Sequence, residues 1–166
     1  MGVNLEDQRT FIIKSVTDSF NLINVGYGHG LMTRSDSLLF GMGLNTSGQL
    51  GNNTIVSRSV PVQIGSSSWT IVSISSRASG AIRSDGTLWT WGINNTGTVG
   101  DGTTFNRSSP VQVGSSSWTA ITTGQEHTLA IRSDYSLFAW GLNQHGQIGD
   151  GTAGTSNNRS SPVQLG

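Results

Sequence analysis

Residues 81–102 read AIRSDGTLWTWGINNTGTVGDG. Two short apolar runs flank a Ser84-Asp85-Gly86 turn, Trp91 follows, and a loop with glycines at 92, 97, 100 and 102 closes the stretch. The pattern returns 49 residues downstream, at 130–151, as AIRSDYSLFAWGLNQHGQIGDG, and 49 residues upstream, at 32–53, as MTRSDSLLFGMGLNTSGQLGNN. A pattern that recurs at a fixed period of this size is the mark of a repeat architecture. Every other segment is therefore read against this unit.

Working outward, Gly65–Asp101 and Gly114–Asp150 are identical at 18 of 37 positions. Phe20 stands where Trp69 and Trp118 stand later, and Met42 stands where Trp91 and Trp140 stand. Pro61 and Pro110 are 49 residues apart but Pro110 and Pro162 are 52 apart, which places a three-residue insertion around Ala153-Gly154-Thr155. The expected organisation is an N-terminal segment over 1–17, either a degenerate first strand or an anchor, then repeats over 18–66, 67–115 and 116–166. Each unit reads as four strands. Val111–Val113 is opened by Pro110, which has no ladder donor to lose. Trp118–Thr123 follows a Gly-Ser-Ser-Ser turn, and Thr128–Arg132 with Leu137–Trp140 forms a hairpin across residues 133–136. In the second repeat that turn holds Asp85-Gly86, a strong hairpin signal. No apolar run has the 3.6-residue period of a helical solenoid. The expected fold class is all-β, with four-stranded propeller-type blades, three to the chain.

Composition fits this picture. Only 34% of the 166 residues are apolar, while glycine reaches 23, as tight turns at positive φ require. Nine basic and nine acidic residues leave a net charge of zero, so no electrostatic footprint for nucleic acid or an anionic membrane is expected. Cysteine is absent, which removes disulfides and thiolate metal sites. MGVNLEDQRT carries Glu6 and Asp7 without an apolar stretch, unlike a signal peptide, so a soluble chain is expected.

Candidate chemistry dissolves into the repeat. The Arg34/Asp36, Arg83/Asp85 and Arg132/Asp134 pairs recur at the hairpin turn, where an aspartate caps backbone N–H groups. His29 and His127 share one repeat position and are expected to satisfy backbone groups, and His145 lies in a polar loop. Single aspartates at Asp101 and Asp150 do not reach the six to eight oxygens of a calcium site. No catalytic, metal-binding or cofactor-binding residue is assigned, no cofactor is expected, and the chain is read as non-enzymatic. Asn45, Asn52, Asn94, Asn106 and Asn158 begin N-x-S/T sequons, relevant only in a eukaryotic secretory pathway. Trp69, Trp89, Trp91, Trp118 and Trp140 are read as inter-blade packing, with an exposed aromatic glycan platform as the alternative.

These motifs together, a W-G-x-N-x-x-G loop, a P-V-x strand, a G-x-x-H-T strand and an S-D-G hairpin, resemble the regulator of chromosome condensation repeat. The resemblance covers residues 18–166 and implies a β-propeller. Departures are Met42 for tryptophan, Ser75 for glycine, Ala78 for histidine, Thr98 for glutamine and Tyr135 for the turn glycine. The best-known member is a guanine nucleotide exchange factor for the small GTPase Ran, but no repeat here carries a long inserted hairpin and no basic tail is present. Regular repeats of this kind also look similar to phage and bacterial surface or tail-associated proteins, which points to a structural or interaction module in a virion or on a cell surface. Three repeats do not close a ring, and Ile12-Ile13-Lys14, Val62, Val111 and Val163 count four strands of the P-V-x type. The expectation is a surplus C-terminal strand and assembly through Pro162, Val163, Gln164 and Leu165, with Phe11, Ile12 and Ile13. The expected partner is a second copy of the chain, closing a six-bladed ring, or a larger protein assembly. A glycan partner stays open, and nucleic acid and membrane are not expected.

Overall fold

The computed structural model describes residues 19–166. Ten strands follow one another as β1 Phe20–Val25, β2 His29–Arg34, β3 Leu38–Gly43, β4 Arg58–Ile74, β5 Ala78–Arg83, β6 Thr87–Gly92, β7 Arg107–Thr123, β8 His127–Arg132, β9 Leu137–Gly141 and β10 Arg159–Leu165. Each pairs antiparallel with the next, in chain order. Strands β4 and β7 run for 17 residues and serve two sheets. The first half of β4 closes a four-stranded blade with β1–β3 (Val62 opposite Gly41), and its second half opens the next blade (Trp69 opposite Arg83). β7 links blades 2 and 3 in the same way, and β10 closes blade 3.

The Gly-Ser-Ser-Ser segments are therefore not chain-reversing turns, as the sequence reading has them. They are bulged kinks inside continuous strands: Thr87 and Trp89, two apart on β6, pair with Ser117 and Gln112, five apart on β7. Gly65 and Gly114 sit at φ of +62° and +61°, so the extra residues are absorbed without reversing direction.

This pairing corrects the strand count. Each P-V-x strand closes the blade that precedes it, and Val163, Gln164 and Leu165 lie opposite Ala139, Phe138 and Leu137 of β9. Pro162–Leu165 belongs to the fourth strand of blade 3 and is not a surplus strand. Phe11, Ile12 and Ile13 lie outside the described residues.

The blades stack face to face. Leu31, Leu39 and Ile64 of blade 1 meet Trp69, Ile74, Ala81 and Trp91 of blade 2. Ile82, Leu88 and Val113 of blade 2 meet Trp118, Ile121, Ala130 and Trp140 of blade 3. Blade 2 is covered on both sides, which is why TLWTWG of β6 is apolar on both faces: Trp89 and Trp91 turn one way and Leu88 the other.

The hairpin turns follow the sequence reading. Asp36, Asp85 and Asp134 accept hydrogen bonds from the backbone N–H of Leu38, Thr87 and Ser136. The turn needs positive φ, which Gly86 adopts freely at +83° and Ser37 and Tyr135 adopt at +67° and +68°.

Candidate functional site

Each of the three Gly/Asn loops is built around one asparagine that has no exposed surface: Asn45, Asn94 and Asn143. Asn94 Oδ1 accepts from Val99 N at 2.8 Å, and its Nδ2 donates to Thr103 O at 3.0 Å, Phe105 O at 3.1 Å and Asp101 Oδ1 at 3.2 Å. Asn45 and Asn143 repeat the pattern with Leu50 and Thr54, and with Ile148 and Thr152. A buried side-chain amide with every atom engaged is what lets a loop without regular structure keep one shape. Asp101 belongs to the same network. Burial works to raise its carboxyl, but hydrogen bonds from the Thr103 hydroxyl and Arg107 outweigh that effect and lower it. Asp150 is drawn down to about 2 by the Thr152 hydroxyl and Arg159. Both aspartates are thus held as carboxylates on arginines, with N···O distances of 2.5 Å, and among the described residues no group of three or more acidic or histidine side chains is placed to hold a metal ion.

The shaped loop receives the next blade. Trp91 Nε1 donates to Gln49 O and Trp140 Nε1 to Thr98 O, both at 2.9 Å. Ser79 and Thr128 hydroxyls donate to the same two carbonyls, at 2.8 and 3.0 Å. The indole lies directly on a loop glycine, and a Cβ at Gly51 would come within 2.6 Å of Trp91 Nε1. Gly100 meets Trp140 in the same way. One unit of this joint is therefore an acceptor carbonyl and a bare glycine on one blade, and a tryptophan and a hydroxyl on the next.

His29 also bridges blades. Its Nε2 lies 2.9 Å from Ser79 Oγ, a side-chain partner on blade 2 in place of the expected backbone group. Burial pushes the imidazole from 6.5 down to about 4, and lowers His127 as well. Below pH 6.5 the unfolded chain takes up a proton at His29 that the folded chain refuses, so stability falls as the pH drops from about 6.5 to about 4. Urea unfolding at pH 7 and pH 4.5 is expected to show roughly 2–3 kcal/mol more loss in the wild type than in His29→Gln. Equal losses in the two proteins would contradict this.

The Arg-Ser-Asp triplets are surface clasps. Arg34 and Arg132 pair with Asp36 and Asp134, and their guanidinium groups lie 5.1 and 4.9 Å from the Phe40 and Phe138 rings. Arg83 instead sits over Trp89 at 3.6 Å and Trp69 at 5.1 Å. Hydrogen bonds from Arg132 and Ser136 hold the Asp134 carboxyl well below the usual carboxylate range.

Matches to the regulator of chromosome condensation (RCC1) repeat cover residues 36–81, 85–131 and 135–166, and a second model of the same repeat matches 118–147. The chain belongs to the RCC1 repeat family. No curated protein matches the chain by sequence. Among solved structures, human WBSCR16 superposes with a TM-score of 0.77 at 24% identity, covering 89% of this chain and 39% of that one. Prp20p from Saccharomyces cerevisiae gives 0.77 at 18% identity, covering 89% and 38%. The C-terminal domain of gp131 from bacteriophage phiKZ gives 0.54 at 13% identity, covering 94% and 44%. The chain thus spans about two fifths of the length of these solved structures, and its fold is that of RCC1-type β-propellers.

Within this RCC1 framework the structure sorts the residues singled out by sequence. Trp69, Trp91, Trp118 and Trp140 are buried, and Trp89 is partly covered by Arg83, so the tryptophans form joints and no open aromatic platform. Asn45 and Asn94, two of the five sequon residues, have no accessible surface and are closed to glycosylation in the folded chain. Pro162–Leu165 gathers on β10 beside β9. What sequence reasoning missed is the asparagine hub and the carbonyl that receives each indole. The recurring W-G-x-N spacing marked the first, but a backbone acceptor 42 residues away leaves no side-chain signal for the second. Among the described residues no helix is long and apolar enough to cross a membrane.

Proposed function

We propose that this RCC1-repeat chain is a non-catalytic protein-interaction scaffold that works within a larger assembly. One observation carries the reading: the side chains that recur in every repeat are consumed by structural bonds, while among the described residues the apolar blade faces at the two ends have no blade against them. Tyr27, Ser76 and Gln125 occupy one repeat position on the turns after β1, β4 and β7, and their divergence supports a surface adapted to partners while the frame stays constant. Prp20p was characterised for binding to Gsp1p and histones, and such use of an RCC1 propeller as a protein-binding body supports the same class of role here.

The specific form proposed is a structural component of a virion, in decoration, tail or fibre, or of a cell-surface assembly. The phiKZ gp131 domain shares the fold, and the neutral, lysine-poor surface suits a static particle better than an electrostatically steered encounter. A nucleotide-exchange role gains no support, because among the described residues the insertion in the third repeat forms no more than one 3-10 turn at Thr155–Asn157. Sedimentation of particles from the source that encodes the chain tests the proposal. Cofractionation at fixed stoichiometry, with antibody labelling of the particle in electron micrographs, is the expected result. A chain that sediments free of any assembly would overturn it.

A further inference from the structure

Among the described residues, no blade covers the outer face of blade 3, which repeats the joint already described inside the chain. On blade 2, Ile82, Leu88 and Val113 are sealed under Trp118 and Trp140, with 2%, 0% and 1% of their surfaces exposed. Their counterparts on blade 3 are Ile131, Leu137 and Leu165, and Ile131 and Leu137 are 37% and 36% exposed. Ile131 and Leu137 border a groove of about 260 Å³, lined also by Ala120 and Leu129. Beside it the loop is fully shaped, with Asn143 accepting from Ile148 N at 3.1 Å and Gly149 at φ +76°. Gly149 is exposed where Gly51 and Gly100 are buried under an indole. The receiving half of the joint is present without its tryptophan.

Blade 1 of a second copy is poorly equipped to fill it. The inserting set is Trp69, Ser79 and Trp91 on blade 2, and Trp118, Thr128 and Trp140 on blade 3. On blade 1 the same positions hold Phe20, Gly30 and Met42. Neither the indole donor nor the hydroxyl donor to the loop carbonyl exists there.

We propose that the open face of blade 3 is a docking site for a partner protein bearing a blade of this repeat type, with a tryptophan on its third strand and a serine or threonine on its second, and not for a second copy of this chain. The inference rests on the scaffold reading and names the partner's chemistry. The internal blade 2–blade 3 interface supplies the template: the indole N–H and the hydroxyl would both reach the Gln147 carbonyl, as Trp140 and Thr128 reach Thr98.

The probe is the chain itself with the missing groups installed. Gly30→Ser is open sterically, since a Cβ there meets only Val25 Cγ1 at 3.7 Å and Asn24 O at 3.8 Å, and Met42 is already 40% exposed. Gly30→Ser/Met42→Trp, capped by Ile131→Asp/Leu137→Asp so that only its blade 1 can dock, is mixed with wild type and followed by sedimentation velocity. Circular dichroism checks that both proteins are folded. A 1:1 complex is expected, at least about 100-fold tighter than any wild-type self-association, from two added hydrogen bonds and a buried indole. The uncapped double variant is expected to form head-to-tail dimers or longer chains. Wild-type self-association of equal strength would overturn the inference while leaving the scaffold reading intact. Folded variants that do not associate would overturn it as well, and the scaffold reading would then stand or fall on particle sedimentation alone.

Discussion

Trp140→Ala is expected to destabilise the chain by about 3–5 kcal/mol, the range for deleting a fully buried aromatic side chain. For a domain whose whole stability is of the order of 5–15 kcal/mol, that is a large fraction. The physical loss is a cavity between blades 2 and 3, where Trp140 packs with Trp118, Leu88 and Val113. The receiving carbonyl of Thr98 is not orphaned, because the Thr128 hydroxyl still donates to it. Trp140→Phe, which keeps an aromatic ring in the joint but loses the indole N–H and part of the packing, is therefore expected to cost clearly less than the alanine, with about 1 kcal/mol of its cost from the hydrogen bond. Denaturant titrations of the two variants check the order. Blade 1 provides an internal comparison, since Met42 replaces the tryptophan where no described blade lies against it, and its side chain is 40% exposed.

Asn94→Ala is expected to cost about 3 kcal/mol or more, a size unusual for a loop residue. The substitution leaves the buried Val99 N–H without its acceptor, which costs about 1–3 kcal/mol, and removes the amide's hydrogen bonds to Thr103 O and Phe105 O, worth about 1 kcal/mol each. Asn94→Asp restores the acceptor but sets a second carboxylate beside Asp101, whose Oδ1 now receives the Asn94 amide at 3.2 Å. Its deficit should shrink as the pH falls and the new carboxyl is protonated. Asn95→Ala, at an exposed neighbouring position, is expected to stay within about 0.5 kcal/mol of wild type. Urea unfolding followed by tryptophan fluorescence separates the three. A small effect at Asn94 would mean that the loops hold their shape by other means.

Much of this architecture was legible in the residues. The period placed Trp91 and Trp140 as joints, the Asp85-Gly86 step located a hairpin, and the recurrence of Arg-Ser-Asp removed a charged constellation from the list of sites. Two features were not legible, for different physical reasons. Gly114-Ser-Ser-Ser has the composition of a turn, and small polar residues fit a bulge equally well. Only the pairing of Thr87 with Ser117 and Trp89 with Gln112 shows that the strand continues, and with it the apparent spare strand disappears. Asn45 and Asn94 read as sequon residues because sequence does not report burial, and in the fold they have no surface to modify. The open face of blade 3 was invisible for a further reason. Ile131 and Leu137 are chemically the same as their buried counterparts, and only the absence of a neighbouring blade distinguishes them.

The recurring tryptophan and the recurring loop glycine form one joint across successive blades. A double-mutant cycle between Gly100→Ala and Trp140→Ala addresses it most directly, by equilibrium unfolding of the four proteins. With Trp140 in place, a Cβ at position 100 collides with the indole as well as straining a backbone at φ +76°; without it, only the strain remains. The double variant is expected to be more stable than the summed single losses imply, by about 1–3 kcal/mol. Losses that add to within about 0.5 kcal/mol would show that the two residues act independently and would contradict the joint.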